Sequence, residues 1–535
     1  MKKFVMMGAV CALSLLVLPV FLYAGGGGQS AGSAGISNSY RPTGGPSDYA
    51  NPTNVSARVI RPQFWIVSDH NTATTGSGIA WQAIRKYTNI DFQVVPVPLA
   101  GYDERLATTL ASRTLPDVMG LRSFATADRY GPEGAFLSFE PYISAGIMPN
   151  FVRVMNSIPP AMSLSFSPNG VRYGAPRFYE TPRMDRALLA RIDVLQKLGL
   201  SQIPETLDDY TNMLRTVKRN YPNSAPYINR WGASNLLSGF QLIFNTSFTY
   251  FVDQDVNRIV YGPLTQNFRD MLAYVTQLYA EGLIARDFAI MSDQEYEQAL
   301  VTGRGMFTYC YQDTNFYEAS RSLMDPDWWW GAVLPPKYNG KRYGYPNLHG
   351  YFGYYKVISN TSQFKEELIR FMDWTYARSG ANALMFGIEG ETYNWGPGGQ
   401  VNMLADIRFQ GNMAGSITGH NLNDQFLFSI LTAEGSEFFE NTDRFTIAQK
   451  KFLNDNNAWA PVSPSARFTD TNAQQRYNAI KTAADTYVLE AVMQIILGQT
   501  SINDWDRVVQ ALRTTFNVEE GLNIINTAYR ETLSR

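Results

Sequence analysis

Apolar residues along this chain change period several times, and each change marks an element. Phe64-Trp65-Ile66-Val67 is a continuous apolar run of the length of a buried strand. Gly76-Ser77-Gly78 then opens a helix with Ala80, Ala83, Ile84 and Tyr87 on its inner face. Ile90 to Val97 alternates as a second strand does. A helix with Tyr102, Leu106 and Leu110 on one face follows, and Asp117-Val118-Met119-Gly120-Leu121 reads as a third strand. Strand, helix, strand, helix, strand with short connections predicts a parallel α/β sheet.

Helical stripes dominate the middle of the chain. Leu188, Leu189, Ile192, Leu195 and Leu198 recur at helical spacing, and Gly199 stops that helix. Thr206 with Asp209 three residues later has the form of a capping box. Phe268, Met271, Leu272, Val275, Leu278 and Tyr279 form a second stripe ended by Gly282. Phe364, Leu368, Phe371 and Met372 form a third, ended near Gly380. These stripes are core positions. No internal repeat or heptad run is present.

The N-terminus has a different pattern. Lys2 and Lys3 precede an apolar run from Phe4 to Tyr23, and Leu22-Tyr23-Ala24 sets a small residue at a cleavage point, so residues 1–24 read as a secretory signal. The run also has the length of a bilayer span, which leaves an uncleaved anchor as the alternative. Residues 25–57, rich in Gly, Ser, Asn and Pro, read as a flexible tether. Cys11 lies too early in the apolar run for a lipid-attachment site, and Cys310 is then the remaining thiol, so no intrachain disulfide forms. A soluble periplasmic protein is expected.

Composition narrows the chemistry. Of 535 residues, 45 are Lys or Arg and 47 are Asp or Glu, a near balance that argues against nucleic-acid or anionic-membrane partners. The length predicts more than one lobe. Aromatics make up 13%, enough to supply platforms for the apolar faces of sugars as well as a core.

Signatures of catalysis and metal binding are scarce. The three histidines, His70, His349 and His420, form no H-E-x-x-H motif, and no Cys cluster exists, so neither metal nor cofactor is expected. No P-loop occurs, and no G-x-S-x-G elbow sits between a strand and a helix. Asp253-Gln254-Asp255-Val256-Asn257 begins like a calcium loop. It then has Arg258 where Gly is needed and Leu264 where Glu is needed, so it reads as a turn between strands. Glu389 and Glu391 flank Gly390, and Asp325 and Asp327 flank Pro326, but that spacing does not set two carboxylates across a substrate.

Several segments in order carry a resemblance: Leu115-Pro116-Asp117-Val118, Tyr173-Gly174-Ala175-Pro176-Arg177, Ala190 to Leu200, Ile203 to Tyr210, Glu281-Gly282-Leu283-Ile284, Gly303 to Phe307, and Gly387-Ile388-Glu389-Gly390-Glu391-Thr392-Tyr393. Through them the chain resembles the family 1 extracellular solute-binding proteins of ABC sugar importers, in particular the aldouronate-type subgroup. It departs from that pattern in lacking the lipid-site Cys and in having Arg191-Ile192-Asp193 where a more basic stretch is usual. The resemblance implies an α/β, two-lobed periplasmic-binding-protein fold, type II-like, each lobe a mostly parallel sheet flanked by helices, with the ligand cleft at the hinge. Residues 58–175 with 348–440 would build one lobe, and 178–346 with 441–535 the other.

It also implies a non-enzymatic, monomeric receptor that delivers a small molecule, an oligosaccharide by expectation, to the permease subunits of an importer. Ligand contacts are then expected on loops at strand ends. Ser68, Asp69 and His70 follow the first strand, and Arg122 and Ser123 the third. Arg177 and Tyr179 follow the lobe crossing, where Arg177 suits the carboxylate of an acidic sugar. Trp231 and Asn235 lie in a loop-like stretch. Tyr309, Tyr311 and Gln312 follow a later strand, His349 and Tyr351 begin the return to the first lobe, and Glu389, Tyr393 and Trp395 lie in the most specific motif. Trp328-Trp329-Trp330 is left to the core. Two alternatives stay open: the same fold serving a peptide or other small solute, and a secreted carbohydrate-active enzyme using Glu389 or Asp69.

Overall fold

The computed structural model describes residues 55–68, 76–98, 101–122, 124–157, 165–179, 186–311, 328–345, 353–397, 399–404, 407–410, 413–416, 429–431, 444–460 and 466–534. Strands Gln63–Ser68 (β1), Gln93–Pro98 (β2), Val118–Leu121 (β3) and Gly174–Tyr179 (β4) come first. Arg186–Arg191 (β5), Tyr250–Asp253 (β6), Arg258–Tyr261 (β7), Phe307–Tyr311 (β8) and Trp330–Ala332 (β9) follow. The chain then returns through Gly353–Ile358 (β10), Tyr393–Trp395 (β11), Val401–Met403 (β12), Ile407–Gln410 (β13), Met413–Ser416 (β14) and Ile430–Leu431 (β15).

Six of these form one sheet in the order β15–β4–β10–β3–β1–β2. β1 runs parallel to β2 and β3, as the alternating strand and helix pattern requires, because the helices Ile79–Thr88 (α1) and Tyr102–Ser112 (α2) carry the chain back between them. β10 is antiparallel to both β3 and β4, so the sheet is mixed rather than uniformly parallel. The second sheet, β8–β5–β9, is antiparallel throughout its named strands. Parallel bridges of Tyr227 to Phe307 and to Ile284 extend it on one side. The mostly parallel second sheet expected above is therefore corrected: β5 enters from the crossover and β8 returns toward it, which fixes opposite directions.

Apolar spacing misled in one place. Leu188 and Leu189 belong to β5, not to a helix, and the helix begins only at Ile192 and ends at Lys197. Leu188, Leu189 and Ala190 are buried on both faces of a central strand, and such a continuous apolar run has no period to distinguish strand from helix. Gly199 does terminate the helix, at φ +68 with the Leu200 N–H reaching back to the Leu195 carbonyl at 2.8 Å. Arg191 and Asp193, the unusual pair, form a buried two-pronged ion pair at 2.7 and 2.8 Å, and Trp329 N–H donates to the same carboxylate.

Gly380 does not end the third stripe either. The helix Lys365–Trp374 stops by itself, a second runs Arg378–Phe386, and Gly380 lies inside it. A Cβ there would sit 1.9 Å from the Trp374 carbonyl oxygen, so glycine allows the turn between the two helices to close. The capping box forms as expected: Thr206 Oγ1 accepts from Asp209 N–H at 3.1 Å and Asp209 accepts from Thr206 N–H at 2.9 Å. Residues 253–258 make the predicted turn, between β6 and β7. Trp328 and Trp330 are core, packed against the second sheet.

Among the described residues, no helix is long and apolar enough to cross a membrane. Nor, among them, is any group of three or more His, Cys, Asp or Glu side chains placed to hold a metal ion.

Candidate ligand-binding cleft

Connectivity keeps one edge of each sheet within reach of the other. Tyr179, the last residue of β4, and Arg186, the first of β5, are joined by seven peptide units, which span at most roughly 25 Å. Register places Gly353 of β10 opposite Arg177 and Tyr355 opposite Leu121. The carboxyl ends of β1, β3 and β4 therefore share one edge of the first sheet, with Ser68, Arg122 and Arg177 along it. In the second sheet Arg186 pairs with Tyr311, so the start of β5 and the end of β8 share the edge at the same junction. Tyr227 bridges Phe307 in parallel, which carries residues 228–231 alongside β8 to that edge.

The edge of the second sheet displays an indole. Trp231 precedes the helix Gly232–Gln241 with φ +63, a left-handed conformation that a bulky side chain adopts at a cost of about 1–3 kcal/mol, and it remains 43% exposed. A chain of hydrogen bonds holds the turn. Arg186 Nη1 donates to Asn235 Oδ1 at 2.8 Å, Asn235 Nδ2 to Asn229 Oδ1 at 2.9 Å, and Asn229 Nδ2 to the Gly232 carbonyl at 2.7 Å. Two guanidinium groups lie against the ring: Arg230 at 3.8 Å and Arg186 at 5.1 Å from its centroid. Arg230 is itself buried, 3.2 Å from Cys310 Sγ and 3.6 Å from Asp293.

The edge of the first sheet keeps its cations inside. Arg177 is 8% exposed, and Lys356, paired with Ala175 two residues before Arg177, stands on the same face of the sheet at 1%. Burial, with the Arg177 charge beside it, pushes the Lys356 ammonium well below the usual lysine range. Arg122 is instead outside, 3.6 Å from Asp103. Next to this edge, on the helix Phe124–Tyr130 (α3), Asp128 meets Arg467 from the C-terminal helical segment at 3.1 and 3.2 Å. The same guanidinium donates to the Phe166 carbonyl and lies over the Phe124 ring at 5.1 Å.

No family model matches the chain. It is 23% identical over 488 residues to lipoprotein LipO of Bacillus subtilis (strain 168), covering 87% of this chain and 91% of that protein. It is 21% identical over 442 residues to the polygalacturonan/rhamnogalacturonan-binding protein YtcQ of the same bacterium, covering 81% and 84%. The solved alginate-binding protein AlgQ2 matches with TM-score 0.73 at 19% identity, over 89% of this chain and 99% of that one. The Streptococcus pneumoniae ABC-transporter substrate-binding protein FusA, in complex with kestose, matches with TM-score 0.71 at 15% identity, over 89% and 100%. The chain has the two-lobed solute-binding-protein fold. The two matched structures carry the names of binding proteins rather than enzymes.

The expected site residues divide between sheet edge and interior. Ser68, Arg122, Arg177, Tyr179, Trp231, Asn235 and Tyr311 lie at or beside the two sheet edges by backbone position. Tyr309 is placed in the core instead. It is 7% exposed, and a Cβ on Gly239 would come within 2.8 Å of its own Cβ, so the helix Gly232–Gln241 lies on it. Tyr309 lies within β8, two residues before the strand end, rather than after the strand as expected.

The motif at residues 387–395 serves loop architecture. Gly387, at φ +87, would drive a Cβ to 1.9 Å from Ile79 Cγ2 of α1. Thr392 Oγ1 donates to the Phe386 carbonyl at 2.6 Å and accepts from Ile388 N–H at 2.7 Å. Glu389 is exposed, and its backbone meets Tyr87 at the far end of α1, while Glu391 pairs with Lys86. Tyr393 is buried against Phe386 and Trp395.

Asp69, His70, Ser123, Gln312, His349 and Tyr351 lie outside the described residues, as do the side chains of Ser68, Tyr179 and Tyr311. Sequence reasoning missed Arg186, Arg230 and Lys356. A lysine inside the apolar strand Gly353–Ile358 was a readable signal, since a charge there must serve something other than packing. Arg186 and Arg230 gave none, being ordinary charges beside apolar runs.

Proposed function

We propose that this chain is an extracytoplasmic receptor that captures a carbohydrate, an oligosaccharide by preference, and hands it to an ABC importer by hinge closure. The observation that carries the reading is Trp231: a half-exposed indole, held in a strained backbone conformation, at the wall of the cleft. Strain of this kind persists only where surrounding structure enforces it. A flat apolar ring beside hydrogen-bonding groups matches a sugar, which has C–H faces and a hydroxyl rim. The alginate, kestose and polygalacturonan named for the matched proteins support the same ligand class.

Residues 58–175 with 348–440, and 178–346 with 441–535, are the two lobes in this reading. A ligand that touches both walls favours the closed state by its differential contacts, and closure is what the permease recognises. Residues 1–24 direct export, residues 25–57 tether the receptor, and it works as a periplasmic monomer without catalysis.

A thermal-shift screen of the purified protein tests this. Neutral and acidic oligosaccharides are offered beside peptides, and a ligand that binds only the folded state raises the melting temperature by mass action, about 2.7 kcal/mol at a hundredfold excess over Kd. A shift with a carbohydrate, without product formation, is expected. A shift with peptides alone would overturn the ligand class, and turnover would overturn the receptor.

A further inference from the structure

We propose that Arg467 is a hinge pin: its guanidinium, seated on Asp128 and the Phe166 carbonyl, ties the two lobes together beside a crossover and restricts how far they swing open. The inference rests on the two-lobed hinge reading and goes beyond it by naming the pivot. The side chain springs from the body of the second sheet. Arg467 N–H donates to Thr532 Oγ1 at 2.9 Å. The helix carrying Thr532, Val518–Ser534, is fastened to β7 where Asn526 Nδ2 donates to the Ile259 carbonyl at 2.8 Å. The helix that follows Arg467, Thr471–Ile496, packs Tyr477, Val488 and Val492 into the core built on β5 and β8. Its Asp485 accepts from the Thr249 hydroxyl at 2.7 Å and from the Tyr261 hydroxyl at 3.1 Å.

The guanidinium reaches the other body. Asp128 stands on α3, which packs against β3 of the first sheet. Both of its carboxylate oxygens are filled: Oδ1 accepts from Ser167 Oγ at 2.6 Å and Arg467 Nη2 at 3.2 Å, and Oδ2 from Arg467 Nη1 at 3.1 Å and Gln474 Nε2 at 3.2 Å. Arg467 Nε also donates to the Phe166 carbonyl at 3.1 Å, and the group lies 5.1 Å from the centroid of the Phe124 ring. The Asp128 side chain is 3% exposed and that of Arg467 10%. Parting them would strand a buried carboxylate without its cation, so the contact outlasts a lobe motion instead of breaking with each one.

Its place suits a pivot. Phe124 meets the Tyr355 ring at 4.9 Å between centroids, and Tyr355 is the third residue of β10, the strand that opens at Gly353 as the chain returns from the second sheet. Contacts beside a crossing segment move little when lobes rotate, whereas contacts at the mouth of a cleft separate. Crossing segments alone permit both bending and twisting. A rigid buried tie beside them removes part of that freedom and holds the lobes near the arrangement from which they close.

Small-angle X-ray scattering of the purified protein tests the pin without any ligand. Arg467→Lys and the gentler Asp128→Asn, shown by melting curves to be folded, should each shift the radius of gyration and the maximum dimension above the wild-type values, because the lobes swing wider. Arg191→Lys is the control. It weakens a similarly buried pair, Arg191 with Asp193 at 2.7 and 2.8 Å, that lies within the second sheet's body, and it should lower the melting temperature with no change in scattering. If the Arg467 and Asp128 variants melt lower yet scatter as the wild type does, the contact is structural only and the pin is wrong. A further arm keeps the two readings apart: wild-type scattering with kestose, a galacturonate trimer and a tripeptide, each in excess. Compaction by a saccharide supports closure about the pin. Compaction by the peptide alone overturns the carbohydrate ligand and leaves the pin standing.

Discussion

The two sheet edges use their arginines differently: one stacks them on an exposed indole, and the other packs one beside a buried lysine. On the second sheet, Arg186 and Arg230 are stacked against an indole that reaches solvent, and a hydrogen-bonded turn keeps the group rigid. On the first sheet, Arg177 and Lys356 lie side by side in the interior, where burial works against the Lys356 charge. At the second sheet it is the indole that is displayed, since Arg230 is as buried as Arg177. The first sheet buries Arg177 and Lys356 together behind its strand ends, and stability there depends on how such buried groups are satisfied. Recognition groups on a rigid display lose little entropy on binding, whereas buried cations act through an electrostatic field that solvent screens poorly.

Several experiments would break or sharpen that contrast. The largest effects come from paired aromatic substitutions. Trp231→Ala should weaken ligand binding at least tenfold while leaving the melting temperature nearly unchanged, since the ring is 43% exposed. Tyr309→Ala, in the core one layer behind, should cost about 3–5 kcal/mol in chemical denaturation, as large buried aromatics do. If Tyr309→Ala folded normally and abolished binding instead, the division between wall and core drawn above would fail.

The ion pair of Arg467 with Asp128 comes next. Arg467→Ala leaves a carboxylate that is 3% exposed without its guanidinium, and about 3–5 kcal/mol of unfolding free energy should be lost, measured by urea titration. Arg467→Lys should recover part of it. Arg122→Ala, which removes an exposed pair at 3.6 Å, should change stability by less than about 1 kcal/mol.

Asp373 gives a pH test of the buried groups in the first lobe. Burial pushes its carboxyl up to about 7, although Asn150 and the Phe151 N–H both donate to it. An unfolded aspartate titrates near 3.9, so at intermediate pH the folded protein retains a proton that the unfolded chain has released. The resulting stability is complete below about pH 4 and is lost as pH rises toward 7, by at most about 4 kcal/mol. Urea midpoints at pH 5 and 7.5 should show that fall, and Asp373→Asn should flatten it. The smallest effect belongs to the capping box: Thr206→Ala should cost about 1 kcal/mol and leave ligand affinity unchanged, because it lies on a helix away from the cleft.

The first lobe was the more legible of the two. Its strand and helix alternation, the starts of α1 and α2 and the end of β3 follow from local periodicity and turn residues, and the structure repeats them. Arg122 and Trp231 were legible as sheet-edge positions because each follows a strand or an irregular stretch at an element boundary. Tyr309 was misplaced because residues near a strand end alternate in depth, and the sequence does not say which residue is the last layer. The motif around Glu389 is distinctive for a steric reason, the contact of Gly387 with Ile79, and distinctiveness carries no label of purpose.

The sequence by itself determined the α/β pattern, the capped helix at Thr206 and the turn at residues 253–258. Each of these depends on residues within a few positions of one another, where propensity and period act. Only the tertiary structure decided that Leu188 and Leu189 are a strand, since the partners that make it one, β8 and β9, lie over a hundred residues away. Only it brought Arg186 and Arg230 to one indole and set Lys356 beside Arg177. Periodicity records which face of an element is buried, and the identity of the neighbour that buries it is a long-range fact that no local pattern contains.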